Sequence, residues 1–125
     1  MRFLLDTHIL LWWLDDSKAL PAEARRLIAD PENAIFVSAA SIWEISIKQS
    51  LGKLDLPNRF DEVLAQSDFE PLPVRAEHAR ATRELPLIHR DPFDRMLVAQ
   101  ARVEGLTLLT ADPAVARYGA LVRLC

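Results

Sequence analysis

Cysteine is nearly missing from this 125-residue chain, which has one, Cys125, at its last position. An internal disulfide is therefore impossible, a zinc site of CxxC type is excluded, and nothing points to an oxidising compartment. Long hydrophobic runs are also missing. The apolar stretch Ile9 to Leu14 falls far short of the ~20 residues that a membrane span needs. Met1-Arg2 and the apolar residues after them have the outline of a signal peptide. Asp6 and His8 interrupt that outline and no small-x-small cleavage site follows, so these residues read as mature structure and the cytoplasm is the default location. Excess basic charge is lacking too. The chain has 15 Lys and Arg against 18 Asp and Glu, a formal charge of −3. That balance argues against a general basic coat for nucleic acid, although mean charge says nothing about where the charges sit.

What the chain does have is an ordinary globular composition, 50% hydrophobic and 26% charged. Its length suits one domain over residues 1–125 with a core that needs no staples. Short apolar runs alternate with helix-like stretches, and neither an internal repeat nor a low-complexity tract interrupts them. Phe3-Leu4-Leu5, Ala34-Ile35-Phe36-Val37 and Leu106-Thr107-Leu108-Leu109 read as buried parallel strands, and Leu121 to Leu124 as a last strand. Phe69 to Val74, carrying Pro71 and Pro73, suits only an edge strand or an extended connection. Helices are expected over Thr7–Leu14, Pro21–Asp30, Ile42–Leu51, Asn58–Gln66 (entered through Pro57), Arg75–Leu85 and Asp94–Glu104, with Gly52 and Gly105 as stops and a short helix after Asp112-Pro113. Strands separated by helices imply βαβ crossovers, hence a parallel sheet with helices on both faces.

Four acids occupy telling positions. Asp6 ends the first strand, and Asp112 follows the third after Thr110-Ala111. Glu44 lies near the start of the helix after the second strand, and Asp94 opens the helix leading to the third. Ligand sites of open α/β sheets lie just beyond the carboxyl ends of strands, so these acids can converge although they are far apart in sequence. Each also has a plain structural explanation. Asp6 suits the cap of the Thr7–Leu14 helix. Glu44 suits a capping box with Ser41 or an ion pair with Lys48. Asp94 suits a favourable charge in a first helical turn, behind a cap at Asp91. Asp112 before Pro113 suits an N-cap. Jointly the four are harder to explain that way. Crowded carboxylates repel unless a cation lies between them. Oxygen ligands without His or Cys match Mg²⁺, with Mn²⁺ also possible. Such a cluster serves displacement at phosphorus, where metals orient water, lower its pKa and stabilise the leaving oxygen.

Four segments, in this order, carry a resemblance that spans essentially the whole chain. They are Phe3-Leu4-Leu5-Asp6-Thr7-His8, Val37-Ser38-Ala39-Ala40-Ser41-Ile42-Trp43-Glu44-Ile45, Asp91-Pro92-Phe93-Asp94-Arg95-Met96-Leu97-Val98-Ala99-Gln100-Ala101 and Leu108-Leu109-Thr110-Ala111-Asp112. The chain resembles PIN-domain ribonucleases, specifically VapC-type toxins of type II toxin–antitoxin pairs. The resemblance implies an α/β fold, a PIN-like three-layer sandwich with a parallel central sheet flanked by helices. It implies Mg²⁺-dependent hydrolysis of RNA to 5′-phosphate and 3′-hydroxyl ends. Asp6 and Asp94 would be the most direct metal ligands, Glu44 and Asp112 would complete the pocket, and the hydroxyls of Thr7 and Thr110 would support them. It also implies a homodimer and a VapB-like antitoxin. The Asp-Thr-His start departs from the commoner Asp-Thr-Asn, so His8 has no assigned role.

Lys48, Lys53, Arg90 and Arg95 are candidates for holding the RNA phosphates. Lys48 also has the simpler use of pairing with Glu44. Trp12, Trp13 and Trp43 suit base stacking or, at helical spacing among Leu and Ile, core or interface packing. Exposed apolar surface for a partner is expected at Trp12, Trp13, Leu14 and the 58–66 helix. Competing classes are an aspartyl-phosphate phosphatase, a receiver-like phosphoacceptor and a non-catalytic PIN-like binding module. The phosphatase usually wants a second acid where His8 stands. The receiver leans on a lysine after a late strand, where Thr110 and Asp112 stand here. The binding module has no use for four acids. Setting those four aside leaves 14 acidic residues against 15 basic ones, so the deficit that argued against a polyanion is concentrated in the acid cluster.

Overall fold

The computed structural model describes residues 1–56 and 60–125. Among the described residues there are five strands, β1 (Arg2–Leu5), β2 (Ala34–Ser38), β3 (Glu70–Leu72), β4 (Thr107–Thr110) and β5 (Val122–Leu124). Every pairing is parallel and the sheet order is β3-β2-β1-β4-β5. The helices are α1 (Thr7–Leu14), α2 (Ala22–Ala29), α3 (Ala39–Ser50), α4 (Phe60–Gln66), α5 (Ala76–Ala81), α6 (Pro92–Glu104) and α7 (Pro113–Ala116), with a 3₁₀ turn at Thr82–Glu84.

β1 is central because its apolar run allows burial on both faces. Phe3 and Leu5 point into one core, together with Ile9 and Leu10 of α1, Leu27 and Ile28 of α2 and Ile45 of α3. Leu4 points the other way, into a second core with Leu108 and with Leu97, Val98 and Ala101 of α6. Phe3, Leu4 and Leu5 are fully buried, and each contributes about 1.5–3 kcal/mol on that account. The proline-bearing β3 lies at the sheet edge, where a missing N–H costs least. The order of the sheet reverses at β1, which has β2 on one side and β4 on the other. The crevice outside the β1 and β4 carboxyl ends is thus the place where such sheets hold ligands.

Several expected boundaries move. α3 starts at Ala39 rather than Ile42, because the Ser38 side chain accepts the Ala40 N–H and two alanines follow. Ser41 therefore lies inside the helix and forms no capping box with Glu44. The expected 75–85 helix is divided into α5 and the 3₁₀ turn. The Asn58 start, and the entry through Pro57, lie outside the described residues, and α4 is described from Phe60. Trp12, Trp13 and Leu14 are half-buried against the first core rather than exposed. The exposed tryptophan is Trp43, at 63%, packed edge-on against Phe93. Among the described residues no helix is long and apolar enough to cross a membrane.

Candidate metal centre

Asp6 extends the β1–β4 ladder by one residue, its N–H donating to the Leu109 carbonyl at 3.0 Å. It occupies the N-cap position of α1, but its side chain makes no capping bond. The Thr110 hydroxyl donates to Asp6 Oδ2 instead, at 2.6 Å. Thr110 shares strand parity with Leu108, on the α6 side of the sheet, so its hydroxyl is fixed by the fold. Asp6 is 4% exposed, and among the described residues its Oδ1 is buried without a hydrogen-bond partner. Burial pushes its pKa up, against the Thr110 hydrogen bond, the His8 charge and the Thr7 N–H, which pull it down.

Glu44 is likewise 4% exposed. Lys48 Nζ, one turn on, donates to its Oε2 at 2.6 Å, the ion pair that spacing suggested. That bond raises the Lys48 pKa, aided by the charges of Asp91 and Asp94. Glu44 Oε1 is buried with no partner among the described residues. Thr7 donates to the Ser41 hydroxyl at 3.0 Å, which ties the start of α1 to α3 one turn before Glu44.

Asp94 is freed from capping by Asp91, which accepts the N–H groups of Phe93 at 2.8 Å and Asp94 at 3.2 Å. Its Oδ2 lies 2.7 Å from His89 Nε2. Burial raises its pKa to about 6, and the negative charge of Asp6 adds to the rise. Asp112 is the N-cap of α7, its Oδ1 accepting the Ala114 N–H at 2.9 Å. Its own N–H donates to the Thr110 hydroxyl at 3.1 Å, so one hydroxyl touches both Asp6 and Asp112. Ligand atoms of His89, Asp94 and Asp112 lie within 4.8 Å of one another.

The four acids therefore gather at one end of the sheet, Asp6 next to Asp94 and Glu44 electrostatically and to Asp112 through Thr110. Two buried carboxylate oxygens without partners among the described residues, amid mutual repulsion, have the chemistry that a hard divalent cation satisfies, and the ligand atoms gathered within 4.8 Å are those of His89, Asp94 and Asp112. Asp6, Glu44, Asp94 and Asp112 fit such an ion, with Thr110 holding Asp6.

The basic candidates divide. Arg95 points its guanidinium at the protein's own oxygens, donating to the carbonyls of Thr82 at 2.9 Å and Pro86 at 3.0 Å and to the Tyr118 hydroxyl at 3.1 Å. Those bonds leave it little reach toward phosphate. Lys48 is engaged by Glu44, and Lys53 and Arg90 are exposed. Lys48 and Lys53 line a cleft of about 410 Å³ with exposed His8 and with Trp12, whose ring centroid is 5.9 Å from that of His8. The sequence reading missed His89. It sits in a connection with no periodicity, and its only signal is a place just before the Asp91-Pro92 helix start.

The PIN domain family matches residues 3–121. Solved structures agree with this. A VapBC complex from Rickettsia felis bound to a promoter DNA fragment is similar with a TM-score of 0.73 and 17% identity, over 99% of this chain and 98% of that one. A DNA-bound VapBC from Salmonella typhimurium gives 0.69 and 20%, over 99% and 96%. A VapBC toxin–antitoxin structure from Mycobacterium tuberculosis gives 0.60 and 21%, over 98% and 96%. No curated protein matches significantly. With a family match over nearly its whole length and a sheet that brings the four acids together, the chain belongs to the PIN domain family.

Proposed function

We infer that this protein is a divalent-cation-dependent endoribonuclease and acts as the toxin of a toxin–antitoxin pair. The pair of buried carboxylate oxygens without a partner among the described residues, Asp6 Oδ1 and Glu44 Oε1, carries this reading, because a cation satisfies both. When bound, Mg²⁺ or Mn²⁺ lowers the pKa of water and stabilises charge on the phosphate and leaving oxygens. Asp6 and Asp94 are the direct ligands, Glu44 and Asp112 complete the pocket, and Thr110 fixes the Asp6 carboxylate through its hydrogen bond. No side chain has to serve as a covalent nucleophile. The cleft of His8, Trp12, Lys48 and Lys53, lined also by Asp15 and Asp55, is linked to the acids through Lys48, which pairs with Glu44, and offers an aromatic face and the Lys53 ammonium to single-stranded RNA. Lys53 and Arg90, both exposed, supply positive charge for flanking phosphates.

An antitoxin and a second copy of the chain are the protein partners of this reading. Its support is that similar chains are solved from toxin–antitoxin systems and that two mostly apolar grooves flank the exposed Trp43. The test is incubation of the purified protein with structured RNAs and Mg²⁺. Cleavage that stops in EDTA, and in both Asp6→Ala and Asp94→Ala, is expected. Cleavage that persists in either condition overturns the proposal.

A further inference from the structure

We propose that His89 is a direct metal ligand, and that with Asp94 and Asp112 it forms an imidazole-containing cation position that favours Mn²⁺ over Mg²⁺. The inference rests on the metal reading above and deepens it, since the four acids alone make an all-oxygen site.

Geometry supplies the first argument. One ligand atom each from His89, Asp94 and Asp112 falls within a 4.8 Å span. An ion with bonds of roughly 2.1 Å gathers three such atoms with small side-chain adjustments. In the structure His89 Nε2 and Asp94 Oδ2 are 2.7 Å apart, close enough to share a proton. A cation takes the place of that proton, with Asp112 supplying the third ligand atom of the same span.

Burial supplies a second, independent argument. Asp6 is 4% exposed, its Oδ1 is without a partner among the described residues, and its charge acts on Asp94. It is joined to Asp112 through the Thr110 hydroxyl. The three-residue cluster is thus coupled to a buried carboxylate, through the Asp6 charge acting on Asp94 and the Thr110 hydroxyl shared with Asp112, whose second oxygen has no partner among the described residues.

Anchoring supplies a third. The His89 backbone is held at both of its polar groups by Tyr118, the only tyrosine in the chain. Its N–H donates to the Tyr118 hydroxyl at 3.1 Å, and that hydroxyl donates to the His89 carbonyl at 3.2 Å. Arg95 braces the same corner from α6, through Tyr118 and the carbonyls of Thr82 and Pro86. A loop tied this closely presents its imidazole in one place, as a ligand requires.

The donor chemistry sets the selectivity. Mg²⁺ takes oxygen donors almost exclusively, whereas Mn²⁺ accepts carboxylate and binds more tightly than Mg²⁺ to sites that include imidazole.

The test adds Mn²⁺ to the metal-free full-length protein and reads nitrogen coupling to the bound ion by electron spin echo envelope modulation. Competition calorimetry measures the Mn²⁺ to Mg²⁺ affinity ratio alongside. Imidazole nitrogen coupling is expected in the wild type and in His8→Ala, and its loss in His89→Ala and His89→Gln. Their Mn²⁺ preference should fall about tenfold. Bound Mn²⁺ without nitrogen coupling in the wild type overturns the proposal while leaving the carboxylate site standing, with His89 only orienting Asp94. Coupling that survives His89→Ala but disappears in His8→Ala assigns the nitrogen elsewhere and also overturns it. Failure of the wild type to bind Mn²⁺ at all overturns this proposal and the metal reading together.

Discussion

Thr110 donates a 2.6 Å hydrogen bond to Asp6 Oδ2 across the seam between β1 and β4, and the other Asp6 oxygen is buried without a partner among the described residues. One hydroxyl thus fixes the carboxylate without neutralising it. It belongs to the last residue of β4, whose register against β1 runs Phe3 to Thr107, Leu4 to Leu108 and Leu5 to Leu109. The next rung brings Thr110 to Asp6, so sheet pairing itself sets the geometry of the site.

Asp6→Asn keeps the shape and removes a buried charge. In chelator it should leave the melting temperature unchanged or raise it, because burial disfavours the charged form of Asp6. Cation binding should fall by about tenfold or more, and RNA cleavage with it. Melts in EDTA and Mn²⁺ calorimetry on the same preparation check both halves. A large loss of melting temperature in EDTA would assign Asp6 a structural role instead.

The Asp94 pKa, raised from 3.8 to about 6, fixes the sign of a pH effect. The folded protein binds this proton more readily than the unfolded chain does. Stability from this group therefore falls as pH rises from the unfolded value toward about 6, and the penalty is complete above that. In EDTA, Asp94→Asn should be more stable than the wild type at pH 7, and the gap should shrink as pH falls toward 4.5. Thermal melts of the two proteins across that range give the answer, and a gap that widens on acidification contradicts it. Saturating Mn²⁺ should remove the wild-type penalty at pH 7.

Lys48→Met removes the cation that is bonded to Glu44 among the described residues, where the other Glu44 oxygen has no partner. Lys48 is partly exposed, so the cost should be about 1–2 kcal/mol rather than that of a fully buried pair. Added Mn²⁺ should recover part of it, since a cation replaces the missing charge. Denaturant titrations with and without Mn²⁺ measure the difference.

Arg95 and Lys53 should part ways. Arg95→Met loses several hydrogen bonds to carbonyls and to Tyr118 and should cost about 2–3 kcal/mol of stability. Lys53→Ala should cost almost nothing in stability and lower the salt slope of RNA binding by about one. Binding isotherms at several salt concentrations, beside melts, separate the two roles.

The sheet was legible in the sequence because buried parallel strands are built on short apolar runs, here Phe3-Leu4-Leu5 in β1, Ile35-Phe36-Val37 in β2 and Leu108-Leu109 in β4. The four acids were legible because strand ends and helix starts are where such sheets place ligands. The α3 start was not, since Ser38 and Ser41 are both good caps and only the Ala40 N–H bond decides for Ser38. Arg95 looked like a free cation because its acceptors, the carbonyls of Thr82 and Pro86, belong to a connection whose path no periodicity records. His89 was invisible for the same reason, its position depending on Tyr118 nearly thirty residues away.

Product chemistry tests the central claim most directly. The purified protein is stripped with EDTA, Mn²⁺ is titrated back, and the ends of the cleaved RNA are identified at each step. The account predicts 5′-phosphate and 3′-hydroxyl ends, formed at a rate that follows cation occupancy and is lost in Asp6→Asn. Cyclic 2′,3′-phosphate ends, or a rate indifferent to the added cation, would contradict it.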